Sequence, residues 1–414
     1  MKVLWFSNTP ANATEYLKLP THGGGWLKTI DLEIQKKVDL HVAFFENHPE
    51  EEFKYKNTTY YVLKGKSNKF KIIKYLLFKN KDYERYLDSY LEVINKVKPD
   101  LIHIHGTEDF FLPIINHTTI PVIVSIQGIL NGIYRKYTSY FTLKDLKYKN
   151  INWNAPWKKI LFMRSFFDNF KELEFKKNNE EKYLRNLKYV IGRTDWDNYY
   201  MKALSPNAIY YKVDEIMREP FYELVDNYLE SGKLIIQSTI SDSPYKGLET
   251  IFESAIVLNN LGIKYEWRIA GLTDIDVTVK LLLKKLGSIP PNIKLLGKLI
   301  DIDLKEKIDN CSIFVLTSHI DNSSNSLCEA MLRGKPCIAT FAGGTNTILE
   351  NNIEGILLQP GDPYTLAGAI ISLNNDPKLQ KFLGENARKK AIIRNDKNKI
   401  IEQLISSYED ILKK

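Results

Sequence analysis

The stretch SIFVLTSHIDNSSNSLCEAMLRGKPCIATFAGG, residues 312–344, reads as strand, polar turn, helix and strand in immediate succession. SIFVLTS (312–318) is nearly apolar throughout, as a strand covered on both faces should be. An acid, Asp321, follows it. A helix then opens near Ser324, with Ser324 and Ser326 as candidate caps and Glu329 in its second turn, and PCIAT (336–340) supplies the next strand. Strand alternating with helix is the pattern of a parallel sheet covered by helices.

The same alternation runs outward in both directions. Strands are expected at KLIIQST (233–239), YEWRIAG (265–271), NIKLLGKL (292–299) and GILLQP (355–360), and before them at KVLWFS (2–7), DLHVAFF (39–45), DLIHIHG (100–106), PVIVSIQG (121–128) and YVIGRT (189–194). Between the first two of these, GLETIFESAIVLNNLG repeats Leu248, Ile251, Phe252, Ala255 and Leu258 at helical spacing. The fold class that follows is α/β, with two Rossmann-like doubly wound domains facing across a cleft. A chain of 414 residues is long enough for two cores. The expected divisions are an N-terminal domain over 1–213, a linker over 214–232 where the alternation lapses around Pro220, a C-terminal domain over 233–390, and a last helix over 391–414 packing back on the N-terminal domain. Residues of about 129–188 mix Trp, Tyr, Phe and Lys densely and read as a basic aromatic insertion in the N-terminal domain. In such sheets ligands sit beyond the carboxyl ends of the strands.

Composition excludes several classes. With 44% hydrophobic and 26% charged residues the chain is neither disordered nor fibrous. The opening MKVLWFSNTP is too short in apolar residues for a secretory signal, and the longest nearly apolar run, 120–130, is about half of what a membrane helix needs. Cys311, Cys328 and Cys337 lack Cys-x-x-Cys spacing, so neither a disulfide framework nor a zinc site is expected, and a cytoplasmic location fits. The net charge of +8 is uneven: residues 1–212 hold 34 bases against 23 acids, leaving 24 bases against 27 acids for the remainder. A positive N-terminal half suits an anionic acceptor or membrane surface. Nucleic acid is not an expected partner, because no zinc-finger, RNP-type or basic-zipper pattern accompanies the charge.

The helix entered near Ser324 presents unpaired amides suited to a diphosphate. Glu329, slightly deeper, can accept from two vicinal ribose hydroxyls, each charge-assisted bond contributing about 1.5–3 kcal/mol. The three glycines of THGGGWLKT, Gly23, Gly24 and Gly25, would let backbone approach a phosphate or sugar. The pairs Asp195 with Asp197, Asp274 with Asp276 and Asp301 with Asp303 all fall at helix starts, where carboxylates offset the dipole, so no metal site is expected.

The segment 321–344 resembles the acid-x7-acid signature of glycosyltransferase family 4, the retaining GT-B glycosyltransferases also called glycosyl transferases group 1, and the likeness extends through GDPYTLAGAI (361–370). The resemblance implies transfer of a sugar, with retained configuration, from a nucleotide-sugar donor such as a UDP- or GDP-sugar to a glycan or lipid-linked acceptor. No other cofactor is implied. It gives Glu329 the ribose, Asp321 a donor-sugar hydroxyl, and the amides of Asn325, Ser326 and Leu327 the sugar and phosphate. Lys246, in SPYKGLE, becomes a cation for the leaving diphosphate. Gly24, Gly25 and Gly297 are implied as close-approach positions around the donor, and His105 and Gln127, at the ends of HIHGTE and SIQG strands, as catalytic-site groups.

Three departures stand out: Asp321 replaces the usual Glu, Gln127 replaces the usual His, and the Arg expected near Ser241 is missing, for which Arg268 is the candidate substitute. Gln127 cannot titrate, which excludes an acid-base step there. These departures keep a non-catalytic nucleotide-sugar-binding protein as an alternative. A sugar-nucleotide 2-epimerase of the same fold is the other, although it would need further acids and histidines. The subfamily pattern is common in bacterial surface-polysaccharide assembly. Two basic segments with interleaved apolar residues, 63–81 and 153–167, lead to the expectation of peripheral attachment at the inner face of the cell membrane.

Overall fold

The protein is described from a computed structural model covering residues 1–19, 25–49, 51–64, 83–149, 164–223 and 232–414. It divides into two compact units. The first comprises 1–130, 175–216 and 395–414, and the second 131–174 and 217–394.

The first unit is built on an eight-stranded sheet: β1 (Lys2–Ser7), β2 (Asp39–Phe45), β3 (Glu52–Tyr55), β4 (Thr58–Leu63), β5 (Leu101–His105), β6 (Val122–Ser125), β7 (Tyr189–Gly192) and β8 (Ile209–Lys212). Their spatial order is β3-β4-β2-β1-β5-β6-β7-β8, parallel except for the β3–β4 pair at one edge. The sequence patterns place five of these strands. The β3–β4 hairpin goes unforeseen because it turns on Lys56, a non-glycine residue at φ 56°, and carries no Gly or Pro to mark it. Strands β1 and β5 occupy the middle and are buried at nearly every position, β5 burying His103 and His105 along with its apolar residues.

The second unit carries a six-stranded parallel sheet: β9 (Leu234–Thr239), β10 (Tyr265–Ala270), β11 (Ile293–Gly297), β12 (Ile313–Leu316), β13 (Cys337–Thr340) and β14 (Gly355–Leu358). The order β11-β10-β9-β12-β13-β14 reverses direction between β9 and β12. Each of these strands lies within the sequence-expected runs. The helix Leu248–Asn260 turns Leu248, Ile251, Phe252, Ala255 and Leu258 into the core.

One boundary differs from expectation. The sequence assigns the insertion to the N-terminal domain, whereas its described residues 131–149 and 164–174 fold with the second unit. The cause is apolar burial: Tyr137, Phe141, Leu146 and Phe166 belong to the same core as Leu248, Ile251 and Phe252. Only the later part, with Tyr183, Leu184 and Leu187, joins the core of the first unit. The basic segments singled out for membrane attachment lie largely outside the described residues. Among the described residues no helix is long and apolar enough to cross a membrane.

The helix Lys397–Leu412 belongs to the first unit and reaches its central strands. The Trp5 indole N–H donates to the Tyr408 hydroxyl at 3.1 Å, and that hydroxyl lies 2.6 Å from His103 Nδ1. His103 Nε2 is in turn 2.6 Å from Ser125 Oγ. Burial, reinforced by Arg193, pulls the His103 imidazole down to about 3, so the ring is neutral. A neutral ring that accepts from Tyr408 at Nδ1 must carry its proton on Nε2, giving one directed chain from Trp5 to Ser125. Tyr408→Phe strands the Trp5 N–H and the His103 nitrogen in the core. We expect a loss of about 1–3 kcal/mol, read as a lower urea midpoint with unchanged slope. An unaltered midpoint would show that the chain carries no stability.

Candidate functional site

The carboxyl edge of the six-stranded sheet is drawn together by close backbone contacts. The turn before the helix Leu248–Asn260 ends on Gly247 at φ 76°, and a Cβ there would stand 2.0 Å from the Thr317 carbonyl oxygen just beyond β12. Thr317 Oγ1 donates to the Gly247 carbonyl at 2.9 Å, and the His319 N–H to the Tyr245 carbonyl at 2.8 Å. On the other side, Gly343 at φ 57° lets the loop after β13 approach the Asp321 carbonyl, to which the Gly344 N–H donates at 3.0 Å. Only residues without a side chain fit these two approaches.

This lacing sets Lys246 beside Asp321. The ammonium donates to Asp321 Oδ2 at 2.7 Å, with both side chains partly open to solvent. Burial alone would pull the Lys246 pKa down, but the Asp321 carboxylate outweighs it and holds the ammonium above its ordinary value. The helix Asn325–Leu332 opens four residues after Asp321, with Ser324 at its N-cap making no side-chain cap bond. Ser324 Oγ instead pairs with Ser326 Oγ at 3.1 Å. The first helical bond around the cap runs from the Cys328 N–H to the Ser324 carbonyl, which leaves the amides of Asn325, Ser326 and Leu327 outside the intrahelical ladder. The buried Asn325 Oδ1 has no partner. Amides, a lysine and an orphaned amide oxygen make a set suited to an oxyanion with attached hydroxyls.

Glu329 lies one turn further along the same helix and is 2% exposed. Arg218 grips it side-on, Nε to Oε1 and Nη2 to Oε2, both at 2.7 Å, while Arg218 Nη1 donates to Asp301 at 2.5 Å. Burial raises the Glu329 pKa and the guanidinium pulls it back, the net result lying above the usual carboxylate range. Arg218 carries no motif in the sequence. It sits just inside the second unit, after one of the points where the chain passes from the first, and only the fold reveals its partner.

Gly297 ends β11 at φ 68°, where its carbonyl accepts from the Gly271 N–H at 2.7 Å, so it belongs to the same carboxyl edge. Arg268 does not. Its guanidinium bonds Glu266 at 2.6 Å, and Glu266 also binds Lys233 and Lys294. The group stands at the amino end of the strands, and the substitution of Arg268 for the missing arginine is therefore corrected. Asp242, next to Ser241, instead accepts from the Val277 and Thr278 amides and caps the helix Val277–Leu286.

In the first unit, His105 ends β5 with both ring nitrogens buried and unpartnered. Its ring lies 3.8 Å from that of His103 and 4.5 Å from that of Trp5. Burial, with His103 and Arg193, holds the His105 pKa well below its ordinary value, so this imidazole is neutral. Gln127 follows β6, and its Nε2 is also buried and unpartnered. Glu108, which the sequence reading passes over, lies with Gln127 around Gly106. A Cβ on Gly106 would stand 2.3 Å from Glu108 Oε2 and 3.3 Å from Gln127 Cδ. Glu108 Oε1 accepts from the Gly128 N–H at 3.0 Å, and burial raises the carboxyl's pKa. Gly25 starts the helix Gly25–Ile34, whereas Gly24 lies outside the described residues. Arg193 pairs with buried Glu215 at 2.6 Å, and Asp197 completes a capping box with Thr194, both structural uses. Among the described residues no group of three or more His, Cys, Asp or Glu could hold a metal.

Residues 226–390 match the family model described as Glycosyl transferases group 1. N-acetyl-alpha-D-glucosaminyl L-malate synthase of Bacillus anthracis is 30% identical over 111 residues, 27% of this chain and 29% of that protein. UDP-Gal:alpha-D-GlcNAc-diphosphoundecaprenol alpha-1,3-galactosyltransferase of Escherichia coli is 24% identical over 186 residues, 45% of this chain and 42% of that protein. The chain thus matches less than half the length of either relative. Among solved structures, sucrose-phosphate synthase of Thermosynechococcus elongatus superposes with a TM-score of 0.70 at 13% identity, covering 99% of both chains. Anabaena HepE in complex with UDP and glucose does so with 0.66 at 16%, again over 99% of both. At such identities the likeness is one of fold, the two-domain GT-B arrangement of parallel sheets. The match to the glycosyl transferases group 1 model is confined to residues 226–390, the part of the chain that holds segment 321–344 and Lys246.

Proposed function

We propose that the protein is a retaining, metal-independent glycosyltransferase that moves a sugar from a UDP- or GDP-sugar to a glycan or lipid-linked acceptor in surface-polysaccharide assembly. The observation that carries this reading is the Lys246–Asp321 pair set just before the unladdered amides of Asn325, Ser326 and Leu327, with Glu329 one turn deeper. A diphosphate meets Lys246 and the amides, a donor-sugar hydroxyl meets Asp321, and the ribose meets Glu329. Positive charge on Lys246 stabilises the leaving diphosphate as its charge grows. In this reading Asp321 and Glu329 are engaged by hydroxyls rather than used for covalent attack, so the protein acts by positioning and electrostatics while the acceptor attacks from the face the leaving group departs. A polyprenyl-diphosphate-linked acceptor is favoured by the likeness to the Escherichia coli galactosyltransferase, whose acceptor is a GlcNAc-diphosphoundecaprenol.

A thermal-shift screen of nucleotide sugars identifies the donor, because a ligand at a hundred times its Kd stabilises its binding fold by about 2.7 kcal/mol. With that donor, Glu329→Ala should lower kcat/KM about a hundredfold or more, since about 3 kcal/mol of ribose recognition is lost. Near-normal turnover in a folded variant contradicts the assigned role. Lys246→Ala should abolish most activity while retaining the fold, and EDTA should leave the wild-type rate unchanged. Strict dependence on a divalent ion overturns the metal-independent reading. Product analysis also separates the alternatives: an isomerised nucleotide sugar without glycosylated acceptor points to an epimerase, and tight binding without turnover to a sensor.

The surplus of bases over acids in residues 1–212 supports docking at the cytoplasmic face of an anionic membrane, each base near the surface contributing about 1 kcal/mol. Co-sedimentation with vesicles should require anionic lipid, fall with salt, and weaken when Lys71, Lys74, Lys158 and Lys159 become Glu. Equal recovery with neutral vesicles rules out the docking.

A further inference from the structure

The bidentate contact of Arg218 with Glu329 has the geometry of a device for keeping one carboxylate charged and aimed. A side-on guanidinium takes one acceptor position on each oxygen, at 2.7 Å in both cases. An ionised carboxylate offers about four such positions, so two remain, one per oxygen, which is the number that two vicinal hydroxyls require. No other described side chain or amide bonds these oxygens. The alternative for a carboxyl buried this deeply is to bind a proton, and a protonated carboxyl presents a donor where an acceptor is needed.

We infer that Arg218 is a positioning residue for the nucleotide site, fixing Glu329 in the ionised, side-on orientation that lets its two free acceptor positions receive the ribose 2′- and 3′-hydroxyls. The inference rests on the reading of Glu329 as the ribose-binding group. It places a determinant of nucleotide affinity at 218, just inside the second unit and outside the acid-x7-acid motif, and it distinguishes ribonucleotides from dideoxynucleotides as the ligand class that benefits. Asp301 serves as the second anchor: it draws Arg218 Nη1 at 2.5 Å and so sets the plane of the guanidinium. Other charges around the helix Asn325–Leu332 are turned elsewhere. Arg394 reaches Cys328 and Ser323, Arg388 the Leu332 carbonyl, and Arg333 the Asp309 carboxylate. Arg218 and Asp301 are therefore the charged groups that face Glu329, and Asp301 opposes ionisation while Arg218 favours it.

The sign of the pH effect follows. Arg218 lowers the Glu329 pKa, so removing it raises that pKa further and leaves the carboxyl protonated over a wider acid-to-neutral range. Ribonucleotide binding should then strengthen as pH rises through a midpoint that lies higher in the variant than in the wild type.

The test measures Kd for UDP and GDP, and for their 2′,3′-dideoxy analogues, from pH 5.5 to 9 (about the range in which such a carboxyl moves) with the full chain. The nucleotide phosphates titrate alike in every protein, so differences between variants report the protein. Arg218→Gln should weaken the better-bound ribonucleotide about tenfold or more at neutral pH, recover part of the loss at high pH, and leave the dideoxy analogue within about twofold. Arg218→Lys, which keeps the charge but not the fork, should restore the pH profile and only part of the affinity. Equal losses for ribo- and dideoxynucleotides, with no movement of the midpoint, overturn the inference and leave Arg218 a fold-stabilising residue. The same assay on Glu329→Gln separates the two levels. If that variant still prefers ribonucleotides as the wild type does, the ribose assignment itself falls. If it loses the preference while Arg218→Gln and Arg218→Lys keep it with an unmoved midpoint, only the role of Arg218 falls.

Discussion

The approach of the Gly247 backbone to the Thr317 carbonyl is the constraint on which the second unit's site depends. Any side chain at 247 pushes the turn away from the end of β12, and with it go the Thr317 and His319 bonds that tie the turn to the neighbouring loop. Lys246 and Asp321 come from segments 75 residues apart, and their 2.7 Å contact exists because the two backbones touch. The Gly343 approach to the Asp321 carbonyl fixes the acid from the opposite side. Two glycines thus do for position what the charged residues do for chemistry.

Charge in the interior is handled by pairing throughout. Arg218 with Glu329, Lys246 with Asp321, Arg193 with Glu215 and His319 with Glu249 each satisfy a charge or a polar ring that burial would otherwise penalise. Such pairs contribute little net stability compared with apolar replacements, and removing one member leaves the other uncompensated. What they secure is orientation. His105, Gln127 and Glu108 depart from this pattern, each holding a buried polar atom without a partner in the first unit, and unsatisfied groups of that kind are where a bound molecule gains most by supplying the missing bond.

Much of the fold was legible because strand-and-helix periodicity is strong in a parallel sheet: the six strands of the second unit and five of the first coincide with apolar runs, and Leu248, Ile251 and Phe252 face the core as their spacing requires. Lys246, Asp321 and Glu329 were singled out through the resemblance of SPYKGLE and of segment 321–344, and the structure brings the first two into contact. The hairpin β3–β4 was not, for its turn residue is a lysine. Nor was the side taken by residues 131–174, since aromatic residues at irregular spacing state that they will be buried but not against what. Arg268 misled because a basic residue in a strand reads the same whether it points to the carboxyl or the amino end of the sheet. Arg218 and Glu108 were silent for a related reason: each draws its meaning from a partner that is distant in the chain, or from a neighbour's backbone, and neither relation leaves a local pattern.

The first unit is assembled from three stretches of chain, with Tyr408 joining Trp5 and His103 at its centre. Synthesis runs in one direction, so the sheet that begins with residue 2 must wait for a helix made after the whole of 217–394 has left the ribosome, a delay of about 10–35 s at ordinary elongation rates. By the end of that interval the second unit has all of its strands and can form its core, while the indole N–H of Trp5 has been without its Tyr408 acceptor throughout. The half made later is thereby the half whose chain is complete first, and the nascent N-terminal sheet waits longest for its last partner.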